Sequence, residues 1–394
     1  MPAISTSSKV RQSIHDVAQY VLLKRTDKVR RGVSTTGAWQ RKSSIVALLF
    51  ALSLAIASAF YAAPPSPGKP LQIHFIDVEG GQATLFVTPE GQSLLIDTGW
   101  PGNDNRDADR IVAAAKNAAV NKIDYVLITH YHDDHVGGAP QLAAKMPIGT
   151  FIDHGDNRET TDKVTQERWL AYMELLATGK YKRLSVKPGD ILPIKGLRAE
   201  VVSSDGAVLS TPLAGAGAAN PNCGAAAPPG DQTENPRSLG TLFTFGKLRI
   251  LDLGDLTADK EYELMCPVNK LGTVDIYIAS HHGSNQSGSE VLVKAVMPAI
   301  AIVDNGANKG GSPSALDIIK SAPGLESSWQ LHYSEEAGKT HNTADRFIAN
   351  LRGPDAGYYL KITAQPSRTF TIFNSRTKTS ESYDLSERTI DISK

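Results

Sequence analysis

One run of ten residues constrains this chain more than any other feature: Thr129, His130, Tyr131, His132, Asp133, Asp134, His135, Val136, Gly137 and Gly138. It follows the aliphatic stretch 125–128 and precedes apolar residues at helical spacing over 136–145, so a strand ends here and a helix begins. Residues two apart in extended chain face the same side, which sends His130 and His132 out together. Asp134 and His135 then fall at the turn into the helix. Imidazoles combined with a carboxylate suit a borderline divalent ion such as Zn²⁺, and loops at strand ends can bring such donors together without distorting a sheet. The fold must therefore offer a strand, a loop and a helix whose open end also receives ligands from distant parts of the chain.

The rest of the sequence has the elements for such a scaffold. Short apolar runs at 71–78, 83–88 and 93–97, separated by Glu79-Gly80-Gly81 and Pro89-Glu90-Gly91, predict a β-meander. A helix over 107–119, strand 125–128, helix 136–145 and strand 148–153 follow. In the second half, 239–245 and 248–253 read as a hairpin around Gly246-Lys247. Helices at 257–265, 289–296 and 313–322 then alternate with strands 275–279 and 299–304, and strands 358–364 and 369–374 close the domain. Strand-rich openings with interspersed helices in both halves predict an α/β protein of two packed sheets covered outside by helices.

Composition sets the limits. The chain has 394 residues, 41% hydrophobic and 21% charged, enough for a sizeable core. The whole is neutral, yet residues 1–44 carry nine Lys and Arg against Asp16 and Asp27, which leaves the remainder acidic by seven. An acidic body argues against a broad nucleic-acid-binding face. After the basic stretch come the 19 uncharged residues 45–63 and the Pro-rich linker 64–70. Basic segment, apolar run and small residues (Ala57-Ser58-Ala59, Tyr61-Ala62-Ala63) read as an export signal, or as an uncleaved anchor close to the roughly 20 residues a bilayer needs. The expected location is periplasmic or secreted. Domain organisation is read as segment 1–63, linker 64–70, one domain over 71–376 and a loosely held polar tail 377–394. Cys223 and Cys266, the two cysteines, lie in no CxxC pattern, which points away from a thiolate metal site. They either pair across the Ala-, Gly- and Pro-rich stretch 203–236 or stay as buried thiols.

The ten-residue run resembles the signature of the metallo-β-lactamase superfamily, and its surroundings resemble the hydrolase domain of competence-type DNA-uptake channel proteins. His74-Phe-Ile-Asp77-Val-Glu-Gly-Gly-Gln82-Ala is similar to the opening strand and turn of that branch. Leu94-Leu-Ile-Asp97-Thr-Gly99 resembles the motif whose Asp supports the metal loop. Asp255, in Leu251-Asp-Leu-Gly-Asp255-Leu, resembles the aspartate that bridges two metals. Ser280-His281-His282-Gly283-Ser284 resembles the late histidine motif, in which His282 is favoured over His281. The resemblance implies an αββα four-layer sandwich with metal ligands His130, His132, Asp134, His135, Asp255 and His282, and with Asp134 and Asp97 serving catalysis. One feature departs from the pattern: residues 155–254 contain no His, whereas many two-metal members carry one there. Asn235-Pro-Arg-Ser238 stands at the expected place, so Asn235, Ser238 or His154 are candidates to complete the first site.

The expected activity is hydrolysis with Zn²⁺, one ion or two, Mn²⁺ being the alternative. A bound ion lowers the pKa of its water toward about 7, which makes a metal-bound hydroxide available at neutral pH. The competence-type motifs favour a phosphodiester substrate, small or polymeric. Hydrolysis of a carboxylic ester, lactone or amide is the second reading, and a non-catalytic metal-binding module the third.

Overall fold

The computed structural model describes residues 68–224 and 226–388. The expected export segment lies outside the described residues, among which no helix is long and apolar enough to cross a membrane. The first sheet begins with β1 (Leu71–Phe75), β2 (Thr84–Val87), β3 (Ser93–Ile96), β4 (Ile123–Leu127), β5 (Ile148–Asp153) and β6 (Lys182–Ser185). The second holds β7 (Arg198–Ser204), β8 (Ala207–Val208), β9 (Gly240–Phe245), β10 (Leu248–Asp252), β11 (Ile276–Ile278), β12 (Ile300–Val303), β13 (Ser327–His332) and β14 (Ile348–Asn350). The chain then returns to the first sheet as β15 (Leu360–Ala364), β16 (Thr369–Asn374) and β17 (Thr379–Asp384), giving the order β17-β16-β15-β1-β2-β3-β4-β5-β6. The second sheet is ordered β14-β13-β12-β11-β10-β9-β7-β8.

Side-chain alternation explains the layering. Phe86, Leu94 and Ile96 of the first sheet meet Phe243, Ile250, Ile276 and Ile300 of the second in one core. Their neighbours Leu85, Leu95 and Val126 point the other way, against α1 (Arg106–Asn117), α2 (Asp133–Val136), α3 (Ala139–Lys145) and α4 (Lys163–Ala177). Leu251, Tyr277, Ala301 and Val303 likewise pack outward under α5 (Ala258–Met265), α6 (Glu290–Val296) and α7 (Pro313–Lys320). Strands buried on both faces read as continuous apolar runs, as these do. The four layers are helix, sheet, sheet, helix, the expected αββα sandwich.

Two details position the site. β3, β4 and β5 are mutually parallel, as are β10, β11 and β12, so their carboxyl ends open together, where ligands of α/β sheets collect. Gly137 and Gly138 seat the short α2 against the loop after β3: a Cβ on Gly138 would lie 2.1 Å from the Thr98 carbonyl oxygen.

The sequence reading needs corrections here. The tail expected at 377–394 is an edge strand over Thr379–Asp384, paired along its length with β16, and Leu385 beyond it is fully buried. Helix 136–145 starts earlier, as α2, and breaks at the glycine pair. α4, β6, β7, β13 and β14 were not foreseen. In α4 only Thr165 and Tyr172 are buried while Val164 and Leu170 are exposed, which blurs the periodicity, although Asp162 caps it by accepting from the Thr165 amide at 2.7 Å.

Candidate metal centre

Asp97, just past β3, adopts φ 56° and is wholly buried. Its Oδ1 accepts the Thr129 amide at 2.8 Å, and its Oδ2 accepts the Thr129 hydroxyl at 2.6 Å. The same Oδ2 lies 2.7 Å from His135 Nδ1. The His135 carbonyl is held in turn by the Thr98 amide at 2.7 Å and hydroxyl at 2.8 Å. A carboxylate on Nδ1 fixes that nitrogen as the protonated one and leaves Nε2 free for a metal. Asp97 is thus a positioning residue for the loop, and burial raises its carboxyl above the ordinary range in spite of His135 and Thr129.

Asp134, His135, Asp255 and His282, all buried, bring four donor atoms within 4.8 Å of one another. Asp134 Oδ2 is 3.2 Å from His135 Nε2 and 3.1 Å from His282 Nε2. Asp255 is 3.3 Å from His135 Nε2 through Oδ2 and 3.4 Å from His282 Nε2 through Oδ1. Donors sharing an ion at bond lengths of about 2.1 Å sit roughly 3.0–3.4 Å apart, so this set fits a divalent cation. Asp255 also reaches toward His130 Nε2, 3.9 Å away, and thereby stands between two positions. His130 Nε2 and Asp255 Oδ1 are buried with no hydrogen-bond partner, an arrangement that costs on the order of 1–3 kcal/mol per group unless something such as an ion satisfies it.

Carboxylates and imidazoles in the group act strongly on one another. Burial, with His135 and His132 nearby, holds His130 well below its ordinary pKa, so its lone pair is available. Burial alone would raise Asp134 and Asp255, but the surrounding imidazoles, with Lys309 at Asp134, hold both carboxyls well below the usual range. His282 is pushed up to about 9: burial works against this, while Asp255 and Asp304 favour the charged form.

The remaining candidates fall out differently. His281 and His282 both adopt positive φ, 54° and 55°, in the turn after β11, but only His282 enters the tight group. His281 stands at its edge, 3.4 Å from Asp255 Oδ2. Gly254 lets the Asp255 loop reach this position, since a Cβ there would lie 2.9 Å from Thr129 Cβ. Ser238 supports the centre from outside: its hydroxyl accepts the Asp255 amide at 3.1 Å and lies 3.5 Å from His130 Nδ1. Asn235 is buried with Oδ1 unpartnered, and none of its hydrogen bonds reaches the cage. His154 does not join the cage: its Nε2 is 2.9 Å from Glu234 Oε2 and its ring packs on Tyr131. His132 stays beside His130, ring centroids 4.6 Å apart, but its Nε2 lies 3.0 Å from Glu159 Oε2.

Glu159 and Lys309 were missed from sequence. Lys309 donates to Asp134 Oδ2 and lies 4.8 Å above the Trp100 ring. It sits in the stretch 305–314, whose glycines mark a loop at the mouth, but nothing in a lone Lys announces the contact. A separate cavity of about 700 Å³, lined by Arg249, Asp275, Arg368 and Arg388, includes none of the cage residues.

The description "Metallo-beta-lactamase superfamily" matches residues 77–218. Recombination protein 2 of Haemophilus influenzae is 24% identical over 243 residues, 60% of this chain and 24% of that one. A UPF0173 metal-dependent hydrolase of Polynucleobacter asymbioticus is 37% identical over 163 residues, 40% of this chain and 51% of its own. A hydroxyacylglutathione hydrolase of Stenotrophomonas maltophilia is 33% identical over 63 residues, 16% of this chain and 21% of its own. The chain thus spans about half or less of each relative's length. Among solved structures, the metallo-beta-lactamase fold protein YhfI from Bacillus subtilis superimposes with a TM-score of 0.42 at 12% identity, covering 74% of this chain and 99% of that one. The matched residues 77–218 include Asp97, His130, His132, Asp134 and His135, so it is to the metallo-β-lactamase superfamily that this part of the chain is similar.

Proposed function

We propose that this protein is an exported, divalent-metal-dependent hydrolase of a phosphodiester-type substrate, with Zn²⁺ or Mn²⁺ in the cage. The observation that carries the reading is the juxtaposition of the four-donor group with the ammonium of Lys309, bonded to Asp134 and resting over Trp100. A cation beside the ligands favours an anionic substrate over a neutral ester or lactone. When bound, the ion supplies Lewis-acid polarisation and an acidified water.

The chain's residues supply the rest. Asp97 fixes the His135 tautomer, Ser238 holds the Asp255 backbone, and Lys309 is placed to pair with a non-bridging phosphoryl oxygen. Asp134, with its low proton affinity, suits ligation and anchoring of Lys309 better than accepting a proton. Export is inferred from the basic and apolar N-terminal segment, and a Cys223–Cys266 disulfide supports it, because such bonds persist in oxidising compartments. Similarity to a hydroxyacylglutathione hydrolase favours a carboxylic ester as the second reading.

A panel on the metal-loaded full chain separates the two: bis(p-nitrophenyl) phosphate against an aryl ester, a lactone and a β-lactam. The phosphodiester is expected to be turned over with the highest kcat/KM, and Lys309→Met is expected to raise its KM about tenfold with bound metal retained. Turnover of the esters or lactam without the phosphodiester would refute the proposal.

A further inference from the structure

The cavity of about 700 Å³ that lies apart from the cage sits at the amino ends of β10, β11 and β12, whereas Asp255 and His282 follow the carboxyl ends of β10 and β11. Arg249 is near the start of β10, Asp275 stands just before β11, and Met297 precedes β12. We propose that this cavity binds a small organic phosphate, a molecule of nucleoside-diphosphate size whose phosphoryl groups pair with Lys247, Arg249, Arg368 and Arg388. The proposal goes beyond hydrolysis at the cage and holds whatever the cage cleaves.

Charge is the first observation. Among the described residues, Lys247, Arg249, Lys294, Arg368 and Arg388 line the cavity against one carboxylate, Asp275. Lys294 is paired with Glu290 on its own helix at 2.9 Å, and the other four cations exceed Asp275 by three charges. That carboxylate is already divided. Its Oδ1 accepts from Arg368 Nε at 3.1 Å and from Arg368 Nη2, and its Oδ2 accepts the Arg249 amide at 2.9 Å. Among the described residues neither Arg249 nor Arg388 forms an ion pair. Their guanidiniums donate instead to backbone carbonyls: Arg249 to Thr273 at 2.7 Å and Leu271 at 2.6 Å, Arg388 to Met297 at 2.9 Å and Gly324 at 3.2 Å. Glu200, the other carboxylate bearing on Arg249, is paired with Arg198 at 2.9 Å, and Glu326, near Arg388, is exposed. Burial lowers both guanidiniums below their ordinary value even though Asp275 favours the charged form. An arginine keeps its proton, so an anion relieves this burden where deprotonation does not.

Shape is the second. Small-molecule sites measure about 300–1,000 Å³, and a cavity of about 700 Å³ admits far more than one inorganic phosphate. Much of the remaining lining is small or apolar, Ala216, Ala218, Ala295 and Met297 among it, and offers a surface to the organic part of a ligand. One wall is held in place by the chain itself. The amides of Leu213, Gly217 and Asn220 donate to the carbonyls of Lys270, Asn269 and Pro267 at 2.9, 2.8 and 3.0 Å, and the Cys223–Cys266 bond ties off this stretch. A phosphoryl group brings about −1.5 to −2 of charge to one point at neutral pH, and a guanidinium matches its oxygens in pairs. A single carboxylate would leave most of the positive excess unanswered.

The test is calorimetric titration of chelator-stripped full chain, in which no ion in the cage can take up phosphate, with ADP, pyrophosphate, adenosine and citrate, and with circular dichroism to verify folding. ADP is expected to bind at one site, pyrophosphate more weakly and adenosine not at all. Lys247→Glu, at an exposed side chain, is expected to weaken ADP by about tenfold, and Arg249→Met by about 10- to 100-fold. A wild type that takes up neither ADP nor pyrophosphate overturns the proposal, as does ADP binding that both variants leave unchanged. Should Arg249→Met not fold, Lys247→Glu decides alone. Adenosine bound as tightly as ADP, or citrate bound in preference to both phosphates, overturns the assignment of an organic phosphate.

Discussion

Asp97 shows how much of the centre depends on residues that hold no metal. Its two oxygens take the Thr129 amide, the Thr129 hydroxyl and His135 Nδ1, so one buried carboxylate sets the register of the loop and the tautomer of a ligand. A different buried group contributes to the acid limit of stability. Burial, with Lys361 nearby, lowers His74 to about 4 from an ordinary 6.5. The unfolded chain then binds the extra proton between those values, so stability is retained above pH 6.5 and lost as pH falls toward 4. The loss amounts to about 3 kcal/mol if undiluted by other groups. Urea midpoints of wild type and His74→Gln, compared from pH 7.5 to 4.5, are expected to show a steeper slope in the wild type than in the variant, where buried His130 still contributes; parallel curves would contradict this. At this scale the sequence was legible where donors are contiguous: Asp134 and His135, which join the four-donor group, stand in one run with His130 and His132 beside them. Asp255 and His282 needed the order of motifs, and the choice between His281 and His282 needed the left-handed turn that aims only one inward. Glu159 and Lys309 were illegible, because a single charged residue in a loop looks like any solvated side chain until the fold places it.

At the level of elements, alternation predicted best where a strand is buried on both faces, as in 93–97 and 299–304. It failed where burial is one-sided or slight. β17, Thr-Ser-Glu-Ser-Tyr-Asp, has five exposed positions and is held by backbone pairing to β16 and by Tyr383, whose hydroxyl accepts from Trp329 Nε1 at 3.2 Å. Nothing in its polarity distinguishes it from a free tail. The stretch 203–236, with little regular structure, is tied down by the Cys223–Cys266 bond, which encloses a separation of 43 residues. Closing a loop of that length restricts the unfolded chain by about 4 kcal/mol on the chain-entropy account. Cys223→Ser combined with Cys266→Ser is therefore expected to lower unfolding stability by up to that amount while leaving metal content intact. A double variant as stable as wild type would show that the unfolded stretch was already compact.

For the whole molecule, the two sheets serve as a platform that turns the carboxyl ends of β3, β4, β10 and β11 toward one mouth. Ligands separated by more than a hundred residues in sequence, such as His135 and His282, meet there at 3.2 Å. That architecture was legible from the sequence because the order of strands and helices determines it, while the loops that shape the mouth follow no period and carry the specificity. The central claim is that hydrolysis depends on ions held in this cage. The direct measurement is phosphodiester turnover by the full chain before chelation, after complete metal removal, and after restoring Mn²⁺ or Zn²⁺, with bound metal quantified at each stage. The account predicts that turnover disappears with the metal and returns in proportion to the ions regained. Turnover that persists undiminished in metal-free protein would contradict it.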